Sequence, residues 1–369
     1  MNDYHHTLAA LGLCVSVRIP VILWGNPGEG KTSMIESAAA DGWHVETVIL
    51  SQSEPSDLAG LPVVGPDGSV VLAPPAWAQR LADRDGPSIC FFDEFTTAPP
   101  SLQAAALRVL THGQVGTLQL PDTVAFVAAA NPIDVSAAGW DLAAPTSSRF
   151  VHLDYAMTVD IFAGGAVAGN WPPLPTWELP ADHRTVIALE MAQIAGFLRA
   201  RPNQLSVIPQ DHATRSRAFP TPRTWEFAGR LSALAAALQL PDEVTALLVA
   251  GAIGDATAHE YLSWRANLDL PDPEDLLDGA VDVSFSQWRP DRVYVVLQSL
   301  VAALDTRNTS DRWTAAMKLC CQAADESGLD AAIPAVRTLV APDRRPPGAP
   351  VPSSISVFAP ALQAAGLLR

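Results

Sequence analysis

Cysteine is scarce in this chain: four residues in 369, Cys14, Cys90, Cys320 and Cys321. They form no CxxC pair and have no histidine pattern nearby, which excludes a zinc ribbon or a disulfide framework and fits a reducing compartment. Charge is sparse as well, at 17%, and positive charge is the scarcer sign: 23 Lys and Arg stand against 39 Asp and Glu, a net −16. A surface so short of cations releases few counterions from a phosphate backbone, so non-specific nucleic-acid binding is disfavoured, as is docking on an acidic membrane. Apolar runs stay short of the roughly 18 residues a membrane span needs. An acid, Asp3, stands where a secretory leader would be basic. The expectation is a cytoplasmic protein without membrane partners. What the chain does have is 49% hydrophobic residues over a length sufficient for two or three domains with real cores.

The first half alternates short β-branched or aromatic runs with helical stretches. Residues 19–25, 43–50, 87–93, 123–130 and 149–155 read as strands; 30–42 and 100–113 read as helices bounded by Gly or Pro. That alternation predicts an α/β layer with a largely parallel sheet. Two insertions, 62–72 and 113–122, alternate like hairpins. Residues 162–180 are rich in Gly and Pro and read as a connection between domains, with some folded content given Trp171 and Trp177. Beyond it the chain reads as helical: Ile187, Met191, Ile194 and Leu198 predict one buried stripe, and Phe227, Leu231, Leu234 and Leu238 another. Further helices are expected at 242–264, 292–304 and 311–327, then a proline-rich connector at 341–354.

GNPGEGKTS, residues 25–33, matches GxxxxGK[ST] between a predicted strand and a predicted helix, the context a phosphate-binding loop requires. Gly25, Gly28 and Gly30, with Asn26, Pro27 and Glu29 between them, let backbone N–H groups converge on phosphate oxygens. Lys31 would neutralise β and γ oxygens, Thr32 would ligate Mg²⁺, and Ser33 completes the motif. SICFFDEF (88–95) is an apolar strand ending in two acids: Asp93 is the candidate metal ligand and Glu94 the base for an attacking water. Asn131 ends another predicted strand; it either makes a turn with Pro132 or positions that water. Thr221 suits a helix N-cap and Pro222 the first helical position, putting Arg223 in the first turn, unfavourable for a cation unless an anion lies near. Arg149, directly before the last predicted strand, either pairs with Asp141 or Asp154 on the surface or meets an anion from elsewhere.

In order and number these segments resemble the AAA+ ATPases, and more closely the MoxR branch, in the dynein-related group. GNPGEGKTS is similar to Walker A, SICFFDEF to Walker B, AAANP to sensor 1, SSRF to the arginine finger and TPRTW to sensor 2. SEPSDLAGLP (53–62) resembles the segment before the helix-2 insert, and GQVGTLQLPD the pre-sensor hairpin. The likeness covers about residues 7–240. It implies a core of residues 1–160 with a five-stranded parallel sheet of order 5-1-4-3-2, a linker at 161–180, and a helical lid at 181–270 carrying sensor 2. A helical extension at 271–369 would follow. The linker is longer and richer in proline than the resemblance predicts. The resemblance also implies ATP and Mg²⁺ as ligands and a homo-oligomeric ring, commonly hexameric. In it Arg223 would sense phosphate in its own subunit and Arg149 would enter the neighbour's site. A protein client, or a partner with a von Willebrand factor A domain, would be matured or remodelled in a chaperone-like manner. An ATP-gated assembly scaffold and a nucleic-acid motor are the alternative readings. The hairpins at 62–72 and 113–122 would line a pore, face a client or be passive.

Overall fold

The computed structural model describes residues 4–37, 42–132, 139–169 and 171–367. By contact clustering the chain divides into two compact units, Met1–Leu179 with Ser206–His259, and Pro180–Leu205 with Glu260–Arg369.

The first unit is built on a five-stranded sheet. Helix α1 (Tyr4–Ser16) leads into β1 (Val21–Trp24), which feeds the glycine loop and α2 (Lys31–Ser37). Then come β2 (His44–Ile49), α3 (Pro55–Ala59), the hairpin β3 (Leu61–Val64) and β4 (Val70–Ala73), and α4 (Ala76–Ala82). The chain continues through β5 (Ser88–Asp93), α5 (Pro100–His112), the hairpin β6 (Gln114–Val115) and β7 (Leu118–Gln119), and β8 (Val124–Ala130). Last come α6 (Ala144–Ser147), β9 (Val151–Asp154) and α7 (Val159–Ala168). The sheet order is β2-β5-β8-β1-β9, with every neighbour parallel. Counting only these five strands, that is 5-1-4-3-2, as the resemblance implied. β8 lies at the centre and is buried at all seven positions, VAFVAAA, as a strand covered on both faces must be. Phe92 stacks on Phe126, and Phe95 meets Phe150 edge to face at 5.5 Å, so aromatic packing joins three of the strands or their ends. Both expected hairpins form as antiparallel pairs, Val64 opposite Val70 and Val115 opposite Leu118.

Four expectations from sequence meet a different structure. The glycine-rich connection begins as helix α7: Thr158 caps it by accepting from Ile161 N at 3.3 Å, and Gly169 closes it in the left-handed region. Gly165 is tolerated inside this helix because Trp171 lies on it; a Cβ there would stand 2.2 Å from the ring. The stretch that follows runs back over α1, where Trp177 N donates to Ser16 Oγ at 3.0 Å. The region expected as one lid is divided. Its α8 (His183–Ala200) belongs to the second unit, whereas α9 (His212–Arg215), α10 (Pro222–Ala237) and α11 (Asp242–Ile253) belong with the sheet. The reason is a close approach: a Cβ on Gly251 of α11 would lie 2.4 Å from His152 O of β9. The expected helix over 242–264 is likewise two, broken at Gly254 (φ 82°) before α12 (Asp255–Ala266), which runs across the division between units. In α8 the buried face is Glu190, Ile194 and Phe197 rather than the predicted apolar stripe, because Glu190 turns inward to meet Tyr261 and Arg265. Residues 38–41, the end of the expected helix 30–42, lie outside the described residues.

The second unit is helical. With α8 it holds α13 (Pro273–Leu277), α14 (Pro290–Leu304), α15 (Ser310–Ser327), α16 (Leu329–Leu339) and α17 (Ala359–Ala364). Its core includes Phe285, Leu297, Trp313, Met317 and Phe358, all fully buried. Sequence reading placed no helix at α16, whose Pro334 is carried inside the helix.

Candidate functional site: a phosphate loop at the carboxyl edge of the sheet

The carboxyl ends of β1, β5 and β8 are neighbours, and each hands over to one expected site element. Gly25 N extends the ladder to Ala130 O at 3.2 Å, so the glycine loop leaves β1 beside the end of β8. Gly25 must be glycine for a reason the motif alone does not reveal: a Cβ there would come within 2.6 Å of Tyr155 O. Gly28 and Gly30 turn the loop at φ of 80° and 83°. Glu29 fastens the loop on itself, accepting from Asn26 N at 3.0 Å and from Asn26 Nδ2 at 2.9 Å, while Pro27 sits exposed at the tip.

Lys31, at the start of α2, is 8% exposed. Its ammonium donates to Gly25 O at 2.7 Å, Asn26 O at 2.9 Å and Asn131 Oδ1 at 3.0 Å, using all three of its donors. Burial lowers its pKa, against the opposing charges of Glu29 and Asp93. Thr32 Oγ1 donates to Asp93 Oδ2 at 2.6 Å. Asn131 is oriented by Thr96, whose hydroxyl accepts from Asn131 N and donates to Asn131 O, both at 3.2 Å. Thus four residues spread over a hundred positions meet as two hydrogen-bonded pairs, Lys31 with Asn131 and Thr32 with Asp93, joined through the adjacent positions 31 and 32.

Glu94 follows immediately. Its φ of 56° is a left-handed conformation unfavourable for a residue with a Cβ. Glu94 N donates to the Asp93 carboxylate at 2.8 Å, which helps hold that turn. Ser51, in the 3₁₀ turn after β2, donates from Oγ to Glu94 Oε2. Sequence reading missed Ser51, a serine one residue past an apolar run whose partner lies 43 positions away.

Arg149 lies at the other end of the sheet. β1 and β9 run parallel with Val21 opposite Val151 and Trp24 opposite Asp154. The glycine loop follows the carboxyl end of β1, whereas Arg149 precedes the amino end of β9. Four residues of strand, about 13 Å, separate the two ends. Arg149 Nε donates to Thr111 Oγ1 at 2.7 Å and Nη1 to Pro145 O at 2.5 Å. Neither Asp141 nor Asp154 pairs with it. Asp154 is held by Arg217, and among the described residues no carboxylate lies within ion-pair distance of Arg149. The backbone is tightly set, with Ser148 and Phe150 buried on either side. Arg223 occupies the expected first turn of α10, and Thr221 and Thr224 form a reciprocal capping box around it. Its charge is felt by Arg149, whose pKa is lowered by burial first and by Arg223 second. The charges that act on Lys31 are those of Glu29 and Asp93. Helix α11 packs on β9 and α10 packs on α11, which carries Arg223 to the neighbourhood of Arg149.

Beside the glycine loop opens a cavity of about 360 Å³, lined by Gly28, Gly30, Ser33 and Met34 on one side and by Tyr155, Met157, Phe162 and Trp171 among others on the opposite side. The Tyr155 hydroxyl is buried there, and its ring lies beside that of Tyr4. An aromatic, largely apolar slot next to a phosphate loop suits a nucleobase. Its walls from α7 and Trp171 come from the stretch read in sequence as a connection.

Among the described residues no group of three or more His, Cys, Asp or Glu side chains is arranged to hold a metal. The Thr32–Asp93 pair fits a Mg²⁺ ion that arrives with phosphate oxygens and keeps its waters, a mode that needs only one or two protein ligands. No described helix is long and apolar enough to cross a membrane.

Compared with known proteins, residues 20–150 match the model of the AAA domain, dynein-related subfamily. No curated protein matches the chain. Among solved structures it is similar to a protein of Cytophaga hutchinsonii described as a candidate ATPase, at 15% identity and a TM-score of 0.41, over 70% of this chain and 88% of that one. It is also similar to a full-length MCM homolog of Methanopyrus kandleri, at 21% identity and a TM-score of 0.36, over 67% of this chain and 55% of that one.

Proposed function

We propose that this chain, whose residues 20–150 are an AAA domain of the dynein-related subfamily, is a Mg²⁺-dependent ATPase of MoxR type. It would work as a homo-oligomeric ring, of six subunits by analogy with its group, that remodels or matures a protein partner in the cytoplasm. The observation that carries this reading is the meeting of two hydrogen-bonded pairs, Lys31 with Asn131 and Thr32 with Asp93, at the mouth of the glycine loop. A bound triphosphate would take over the ammonium of Lys31 from the carbonyls it now contacts. Thr32 and Asp93 would hold Mg²⁺, which supplies charge neutralisation across the β and γ oxygens when bound. Glu94, released from Ser51, would accept the proton of the attacking water, and Asn131 would orient that water from the adjoining strand end. The base would lie against Tyr155, Met157, Phe162 and Trp171.

Arg149 precedes the end of β9 opposite to the loop and the charge of Arg223 reaches it, so two guanidiniums with no carboxylate within ion-pair distance among the described residues form a binding place for a shared anion. The γ-phosphate in a neighbouring subunit is that anion, so both arginines act across the interface. Mixing Lys31→Ala subunits, which lend intact arginines, with Arg149→Ala subunits, which keep an intact loop, tests this directly. Each is inactive alone, and recovery of ATP hydrolysis in the mixture is the expected result. Absence of recovery from properly assembled mixed rings would remove the shared site. The contact between Ser51 and Glu94 also suits a scaffold that binds ATP to assemble and hydrolyses it only incidentally. Stimulation of turnover by assembly separates the machine from the scaffold.

A further inference from the structure

His152 lies in the middle of β9, 6% exposed, and both of its ring nitrogens are used. Trp24 Nε1 donates to His152 Nδ1 at 3.0 Å. Because the indole can only donate, Nδ1 is the acceptor and the ring proton sits on Nε2, which donates to Ser147 O at 3.0 Å. The two rings are nearly parallel, 13° apart with centroids at 6.0 Å, and Arg217 lies over the indole at 4.5 Å. Ser147 in turn donates from Oγ to Arg217 O at 2.5 Å, and the Arg217 guanidinium pairs with Asp154. These contacts close a ring of bonds around one neutral, buried imidazole.

Its ends are informative. Trp24 is the residue immediately before Gly25, so it anchors the carboxyl end of β1. Ser147 lies two residues before Arg149 in the turn that presents that guanidinium, and Arg217 begins the segment leading to Arg223. A fully apolar side chain at 152 would pack in this core equally well. It would leave the indole N–H without its partner and take from the Ser147 carbonyl one of its two donors, the other being Phe150 N at 3.2 Å. A polar residue held this way on the edge strand β9, against β1, specifies a geometry.

We propose that His152 is a positioning residue for Arg149: it ties the turn at residues 144–149 to the phosphate-loop end of β1, so the guanidinium is presented at a fixed height along the sheet edge. This inference rests on the reading of Arg149 as the arginine that completes a neighbouring site. Its test uses the mixed assembly in a form that isolates what one subunit lends. The donor Lys31→Ala is compared with the double donor Lys31→Ala/His152→Gln, each mixed with Arg149→Ala acceptors, and the recovered ATPase rate is read. The donor's own loop is dead, so a change at His152 acts on the rate only through the arginines it supplies. The expected result is a recovered rate at least tenfold lower with the double donor. The reverse arrangement, Arg149→Ala/His152→Gln acceptors with Lys31→Ala donors, is expected to stay within twofold of the control mixture. Equal losses in both arrangements mean a general structural role and overturn the inference, as does no loss in either. If the control mixture itself recovers no activity, the shared-site reading has failed and the inference falls with it. Should His152→Gln donors fail to assemble by sedimentation, Trp24→Phe donors, which lose the indole N–H and part of the ring while keeping His152, decide between the same outcomes.

Discussion

The arginines of the helical C-terminal unit and those at the edge of the sheet live in opposite circumstances. In the helical unit Arg312 is 4% exposed and bonds to Glu274 and Asp278; Arg307 pairs with Asp278, Arg344 with Asp305, and Arg265 with the buried Glu190. Each carries its anion with it. Arg149 instead leans on a threonine hydroxyl and a carbonyl, and the charged group whose field it feels is another arginine. These four arginines come with carboxylates from the same chain, whereas Arg149 has none within ion-pair distance among the described residues. In a chain with a net charge of −16, carboxylates are abundant, and this makes their exclusion from Arg149 informative.

The comparison breaks or sharpens under substitution, and the largest effect should fall on rate. Arg149→Ala is expected to lower turnover of the assembled protein by about 10³-fold or more, the scale on which arginines that contact a transferring phosphoryl group act, with unfolding free energy changed by less than about 0.5 kcal/mol. Steady-state ATPase assays and urea titration of the same preparation read both quantities; a large stability loss would make Arg149 a structural arginine after all. Arg265→Ala should do the reverse, destabilising its unit by about 3–5 kcal/mol because Glu190 is left as an uncompensated buried charge, while nucleotide affinity is retained. Chemical denaturation combined with fluorescent-nucleotide binding decides that pair of outcomes.

Smaller effects probe the link between the two ends of the sheet and the base pocket. His152 has its pKa lowered to about 3, chiefly by burial. Between that value and the ordinary 6.5 the unfolded chain binds a proton the folded one refuses, so stability rises with pH across this window and is lost as pH falls through it. The contribution approaches about 1.4 kcal/mol per pH unit, and denaturation midpoints from pH 4 to 7 should flatten in His152→Gln relative to the parent. Trp171→Ala should weaken nucleotide binding by about three- to tenfold, the worth of one aromatic contact, with turnover at saturation unchanged. An unaltered affinity in titration would move the base elsewhere.

Much of this was legible in the chain. Five strand runs and both hairpins follow from short-range apolar patterning broken by Gly and Pro, the strand order was implied by the family resemblance alone, and the glycine loop declares itself by a spacing that chemistry restricts tightly. Thr221 and Pro222 announced the start of α10 correctly, because capping is local. What escaped the sequence depends on approaches between distant segments. Gly251 against His152 O draws α11 onto β9 and divides the expected lid, and Trp171 over Gly165 lets a glycine pair sit inside a helix. Ser51 is an ordinary serine until β2 and β5 stand side by side, Ile49 opposite Asp93. The side to which Arg223 turns was unreadable for the same reason: first-turn placement is a property of ten residues, and its neighbour is a property of the fold.

The central claim is that hydrolysis is completed by a second subunit, and its most direct measurement is ATPase rate per subunit as a function of protein concentration at saturating ATP and Mg²⁺, with sedimentation run in parallel. The account predicts a rate that climbs steeply as the assembled form populates and is close to zero for the isolated protomer. A rate per subunit that stays constant from dispersed protomers to full assembly would contradict it.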